Sequence, residues 1–237
     1  MIERTVDIPT SDGATTTFVC HPGRGGPHPL IIFYMDAPGI REELRDMVRR
    51  LASVGYYVLL PNLYYRAGVV EPPDRERMFE LMNGLSIAMV MEDTDALLAW
   101  VDGRADASKG SAGAVGYCMS GQFAINAAAR HPGRFAAAAS IYGVRLVTDL
   151  ADSPHRMAAK ARAELYFACA ERDHWAPLPM VQALAAAVAD PAIEAEVEIY
   201  PGVEHGFAFP GRAAFNRDAA ERHWERLFAL FARRLHP

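Results

Sequence analysis

The sequence predicts an α/β fold, with a mostly parallel central sheet covered by helices on both faces. Two observations carry that prediction. Short apolar runs of strand length alternate with amphipathic or alanine-rich segments of helix length, without a linker or an internal repeat. Three of those runs also stop at residues able to do chemistry: Cys118, Asp173 and His205. In an open parallel sheet the carboxyl ends of the strands form one working edge, so side chains just past those ends converge there.

The elements follow in order. Residues 3–8 and 14–20 read as a β-ribbon that turns at Ser11-Asp12-Gly13. Gly23-Arg24-Gly25-Gly26-Pro27 is a plain turn, because its glycines lack the spacing of a phosphate-binding loop. The wholly apolar 30–34 is a buried strand. Over 41–54, Leu44, Met47, Val48 and Leu51 share one helical face, and 57–60 is the next strand, stopped by Pro61. The stretch 66–92 breaks the rhythm with Pro72-Pro73, several charges and Met78, Met82, Met89 and Met91 around Phe79. Two readings of it stay open: ordinary core packing, or a small cap whose flexible methionines, Met78 and Met82 among them, wall a substrate pocket. Residues 93–101 read as a helix, 111–115 as a small, apolar strand and 122–130 as an alanine-rich helix. Further strands are expected at 135–142, 164–169 and 195–200. Trp224, Leu227, Phe228, Phe231 and Leu235 mark the inner stripe of a closing helix. At 237 residues the chain is expected to form one domain, long enough to bury roughly three quarters of its unfolded surface.

Gly116-Tyr117-Cys118-Met119-Ser120-Gly121 lies between a strand and a helix. A nucleophile among glycines at such a turn is a nucleophile elbow, here with cysteine in the serine's place. The leading glycine tolerates the tight turn, the turn lifts the side chain above the sheet, and the helix N-terminus behind it favours thiolate over thiol. Ser120 holds the place of the motif's second glycine, and Gly121 follows it. Taken singly, Cys118 reads as a buried structural cysteine, Asp173 as a turn residue and His205 as an exposed loop histidine. Taken together, nucleophile, acid and histidine stand in the chain order of an α/β-hydrolase triad, 55 and then 32 residues apart. The expected architecture is therefore the α/β-hydrolase fold. In that arrangement His205 takes the Cys118 proton or holds it beside the thiolate, and Asp173 fixes the imidazole tautomer. The thiolate attacks an ester or lactone carbonyl, and water then releases the acyl-cysteine. Backbone N–H groups of Met119, next after the nucleophile, and Ala37, on the loop after an inner strand, are the expected oxyanion hole.

Six segments, in order and over nearly the whole chain, resemble those of the dienelactone hydrolases, a cysteine-nucleophile branch of the α/β-hydrolases. They are Met35-Asp36-Ala37-Pro38-Gly39-Ile40, the strand from Gly55 to Tyr64 with its Pro61-Asn62-Leu63-Tyr64 end, the elbow, Tyr142-Gly143, Asp173-His174 and Glu204-His205-Gly206-Phe207. The resemblance implies hydrolysis of a small-molecule ester or lactone with neither cofactor nor metal. It also implies a carboxylate at Asp36 that gates thiolate formation on Cys118, one methylene shorter than the family's glutamate; a loop residue capping backbone N–H groups is the other reading. The family holds a substrate carboxylate with arginines, one of them four residues after the histidine, and Phe209 stands there in this chain. Arg75 and Arg77 are only loose counterparts of the other arginine. Neutral esters, lactones or thioesters are thus expected to be preferred, with Tyr142, Trp175, Phe207 and Phe209 as aromatic pocket walls or, equally, as core. An acyltransferase using the same triad and a non-catalytic binder on the same fold are the alternatives.

Composition narrows the partners. The net charge of −5, without a basic run, argues against nucleic acid and anionic membrane. No apolar run approaches a bilayer span, and the N-terminus begins directly with strand-like residues. Three scattered cysteines make neither a disulfide framework nor a metal cluster, so a reducing cytoplasm is the expected location. A monomer or weak homodimer is expected.

Overall fold

The computed structural model describes residues 1–69 and 71–235. Val70, inside the 66–92 stretch, and the last two residues lie outside it. The elements are β1 (Ile2–Thr10), β2 (Gly13–His21), β3 (Leu30–Tyr34), α1 (Glu42–Ser53), β4 (Tyr57–Pro61), α2 (Arg75–Gly84) and α3 (Ile87–Asp102). They continue with β5 (Ala112–Tyr117), α4 (Gly121–Arg130), β6 (Phe135–Ile141), α5 (Pro154–Met157), β7 (Glu164–Arg172), α6 (Leu178–Ala187), β8 (Ala195–Glu204) and α7 (Arg217–Leu235). The strands form one eight-stranded sheet in the order β1-β2-β4-β3-β5-β6-β7-β8. The β1–β2 and β2–β4 pairs are antiparallel and every other pair is parallel, so the expected α/β-hydrolase architecture is present.

Every residue of β3, β4 and β5 is buried, as central strands covered on both faces require. Within β5 successive side chains alternate between faces. A Cβ on Gly113 would meet Phe231 of α7 at 2.8 Å, while one on Gly116 would meet the elbow that opens α4, so α4 and α7 cover opposite faces. On the α7 side an Arg50–Glu221 ion pair joins α1 to α7. Phe228 is only partly buried, stacked on Trp224 under Arg50, while Leu230 completes the inner stripe in its place.

Two strands run further than the sequence predicts. β7 reaches Arg172 and β8 reaches Glu204, which sets Asp173 and His205 immediately at strand ends. The interrupted stretch resolves into two helices. α2 is capped by Asp74, whose side chain accepts from the Arg77 N–H, and α3 by Ser86, which accepts from Met89. α3 starts at Ile87, earlier than predicted, and takes Met91 into the core, whereas α2 keeps Met78, Phe79 and Met82 half-buried.

Candidate active site

Because β3 to β8 run parallel, the residues that follow them lie along one edge. Ala37 follows β3, Tyr64 follows β4, Cys118 follows β5, Tyr142 to Arg145 follow β6, Asp173 follows β7 and His205 follows β8. The elbow needs its bare first glycine: a Cβ on Gly116 would lie 2.0 Å from the Ser120 carbonyl oxygen. Cys118 sits at φ 57°, the left-handed region that non-glycine residues avoid, and strain there is a mark of functional positions. Its thiol is half-buried, whereas Cys20 and Cys169 are fully buried. Burial pushes those two thiols up, to about 11 and about 12 respectively.

His205 and Asp173 are joined by an Nδ1–Oδ2 hydrogen bond of 2.7 Å, with the carboxylate wholly buried. The other oxygen of Asp173 accepts the backbone N–H groups of Trp175 (2.9 Å) and Ala176 (3.1 Å), which locks the carboxylate plane. Nδ1 therefore carries a proton, and Nε2 is the ring nitrogen not engaged by Asp173. Burial works against charge on His205, but the interactions with Asp173 and Cys118 outweigh it and raise the imidazole to about 9.

Cys118, His205 and Ala37 open into a cavity of about 290 Å³. Its walls include Pro38, Val144 and Trp175, and α2 supplies Met78, Phe79, Met82 and Asn83. Met78, Met82 and Trp175 thus line the cavity into which Cys118 opens. Three aromatic assignments are corrected. Tyr142, Phe207 and Phe209 are 1%, 0% and 0% exposed and sit beneath the cavity as core: Tyr142 packs edge-on against the His205 ring at 5.0 Å, and Phe207 and Phe209 pack against Tyr142. Large apolar rings on the short segments behind the strand ends gain more by turning toward the core than toward an open cleft.

Asp36, the expected gating carboxylate, is engaged by arginines. Its carboxylate, fully buried, accepts from Arg41 at 2.6 and 3.1 Å and from Arg212 at 2.7 Å, with no hydrogen bond to Cys118. A buried carboxylate needs cations to offset desolvation, and here two guanidinium groups take that place instead of the thiol. The consequence reaches the pocket. Arg212, lying over the Phe209 ring at 5.1 Å, joins the cavity wall together with Arg145, whose Nη2 donates to Asn83 at 2.6 Å. Arg75 and Arg77 are absent from that wall. The expected preference for neutral substrates assumed that Phe209 faced the substrate without a cation nearby, and neither half of that premise holds. Arg212 carries no local sequence signal, since it meets Asp36 across 176 residues, whereas Arg41 lies only five residues from it. Among the described residues no three His, Cys, Asp or Glu side chains gather as metal ligands, and no helix is long and apolar enough to cross a membrane.

An eight-stranded sheet of this order, an elbow cysteine and an Asp–His pair on its carboxyl edge define an α/β-hydrolase. Residues 16–235 match the model of the dienelactone hydrolase family, and the chain belongs to that family: it is a hydrolase acting on ester or lactone bonds. A protein of Azospirillum brasilense named "Putative carboxymethylenebutenolidase" is 31% identical over 97% of this chain and 98% of its own length. One of the same name from Methylorubrum extorquens AM1 is 29% identical over 96% of this chain and 79% of its own. A crystal structure described as a "Putative Dienelactone Hydrolase", from Klebsiella pneumoniae subsp. pneumoniae MGH 78578, superposes with a TM-score of 0.89 at 26% identity, covering 98% of both chains.

Proposed function

We propose that this hydrolase cleaves its ester or lactone through an acyl-cysteine on Cys118, with His205 as general base and acid and Asp173 as the group that orients it. The observation that carries this reading is the 2.7 Å Asp173–His205 bond beside a strained elbow cysteine in one cavity. With the imidazole raised to about 9, His205 is able to hold the thiol proton while the Cys118 sulfur attacks. The Cys118 sulfur forms a bond to the carbonyl carbon, and the π electron pair moves to oxygen, toward the N–H groups of Met119 and Ala37. Collapse of that intermediate expels the alkoxide, which takes the proton from His205; in a lactone the alcohol stays tethered to the acyl group. Water then gives a proton to the neutral His205 as it attacks the thioester, and cleavage of the C–S bond returns thiolate and leaves the free acid.

The cavity supports a substrate with an apolar part against Met78, Phe79, Met82 and Trp175 and an anionic or carbonyl-rich part facing Arg145 and Arg212. The name of the two relatives describes such a molecule, a butenolide lactone bearing a carboxymethylene group. In this reading α2 acts as a small cap on one single-domain hydrolase that needs no cofactor. Three free cysteines suit a reducing cytoplasm. The test is a panel of p-nitrophenyl esters, lactones and thioesters assayed with the wild type and Cys118→Ala. Wild-type turnover that vanishes in the variant is the expected result, and turnover that persists in Cys118→Ala sinks the acyl-cysteine.

A further inference from the structure

Two side chains outside the triad brace the halves of the oxyanion hole against each other, and we propose that Tyr64 and Ser120 are positioning residues for it. This inference rests on the acyl-cysteine reading, in which the N–H groups of Met119 and Ala37 receive the carbonyl oxygen. Those donors come from separate segments, one from the turn after β5 and the other from the loop after β3. A hole made of one donor from each works only if their separation is held to within roughly 0.5 Å.

Three bonds supply that constraint on the β3 side. The Ser120 hydroxyl, fully buried, crosses from the elbow to donate to the Met35 carbonyl. The Tyr64 hydroxyl, on a residue 2% exposed, donates to the Ala37 carbonyl at 2.8 Å. Between them the Asp36 carbonyl, which belongs to the same peptide as the Ala37 N–H, accepts from Gly39 at 3.0 Å. Three successive peptide units are thus pinned, and the middle one carries the donor.

On the elbow side the Tyr64 oxygen stands 3.4 Å from the Met119 sulfur. A hydroxyl has one proton, and the carbonyl, as the stronger acceptor, takes it, so the sulfur packs against the phenol oxygen. Tyr64 is itself seated by Asn62, whose Oδ1 accepts the Tyr64 N–H at 3.0 Å while its Nδ2 donates to the Val69 carbonyl at 2.6 Å. The loop after β4 therefore acts as a frame for both donors. Ser120 occupies the place where the elbow motif has glycine, and glycine has no hydroxyl to cross the gap.

The experiment compares Tyr64→Phe, Ser120→Ala and the double variant in the full chain through three readouts. The first is kcat and KM on a p-nitrophenyl ester. The second is the affinity for an alkyl trifluoromethyl ketone, to which the Cys118 thiolate adds, the new oxyanion entering the hole with no leaving group. The third is the iodoacetamide alkylation rate of Cys118, which needs thiolate and no hole. Each single variant is expected to lose about tenfold in kcat and the double about a hundredfold, the scale of a misplaced donor. Ketone affinity should fall in parallel, while KM and the alkylation rate stay within about twofold. Less than about a twofold loss of both kcat and ketone affinity in the single variants overturns the proposal. So does an alkylation rate that falls in step with kcat, since the defect would then lie in the thiolate. If Tyr64→Phe fails to fold, Ser120→Ala decides the matter alone. Cys118→Ala separates the two readings: persistent hydrolysis there removes the acyl-cysteine and this inference with it, whereas an inert Cys118→Ala beside normal brace variants removes only this inference.

Discussion

Asp173→Asn tests the triad through the direction of its hydrogen bonds. One carboxylate oxygen accepts two backbone N–H groups, at 2.9 and 3.1 Å, and the other accepts Nδ1–H of His205 at 2.7 Å. Asparagine must keep its single oxygen on the backbone side, because turning the amide over sets NH₂ against two donors and strands both at about 1–3 kcal/mol each. The NH₂ group therefore faces His205, Nδ1 must accept, and the ring proton moves to Nε2, the atom that takes the Cys118 proton in the proposed mechanism. The base is lost while the packing survives. The expected fall in kcat is about 10³–10⁴-fold, or about 4–5.5 kcal/mol of transition-state stabilisation.

The same substitution has a signature in stability. His205 is raised from 6.5 to about 9 in the folded chain, so folding strengthens its hold on the proton. That contribution is fully present below pH 6.5 and is lost as pH rises through about 9. Its size is about 3 kcal/mol for a side chain only 11% exposed. The Asp173 hydrogen bond is the largest of the interactions that raise it, ahead of those with Cys118, so Asp173→Asn should reduce it. Urea midpoints measured near both ends of that window should therefore shift down with pH by clearly more in the wild type than in Asp173→Asn, with m unchanged. A variant that keeps kcat within about tenfold of wild type, or that shows the wild-type loss of stability with pH, refutes the assignment of Asp173 to the triad.

Other perturbations reach different parts of the site. Iodoacetamide should label Cys118 at least about a hundredfold faster than Cys20 or Cys169, whose thiols burial raises to about 11 and about 12; mass spectrometry showing equal labelling of the folded protein contradicts the elbow. Gly116→Ala drives a methyl to 2.0 Å from the Ser120 carbonyl, so kcat should fall by about 10² or more along with Tm, and a variant of normal Tm and kcat would remove the close approach. On an alkyl ester, kcat/KM should decline above about pH 9 as the imidazolium that protonates the leaving alkoxide is lost; a profile rising steadily past that point would deny His205 the acid role. Arg212→Gln should raise KM for a carboxylated lactone by about tenfold or more and leave its neutral analogue nearly unchanged, and equal effects on both would mean that Arg212 meets no substrate charge.

What was legible in the sequence, and what was not, divides along physical lines. β3 and β5 are readable because a strand buried on both faces must be apolar throughout, and their runs are. The far ends of β7 and β8 are not, because Glu171, Arg172, Pro201 and Glu204 are exposed and carry no such pattern. α6 also escaped, opening on Leu178-Pro179-Met180, where a proline in the first turn reads locally as a break. Cys118, Asp173 and His205 announce themselves since strand ends are points where chain order and spatial convergence coincide. The arginines of the pocket follow the opposite logic. Phe209 holds the position from which a family member would reach a substrate carboxylate, yet its ring is buried, and Arg41 and Arg212 lie over it at 5.0 and 5.1 Å. The guanidinium of Arg212 reaches the cavity three positions later, held by a buried Asp36 that Arg41 shares. Asp36 is therefore understood through its partners: a carboxylate at that point of the β3 loop can position a cation at the pocket wall even when no cation occupies the expected place. An ion pair spanning 176 residues has no periodicity or spacing to betray it, and a cation held by such a pair can shift along the chain while Cys118, Asp173 and His205 stay where the strands end.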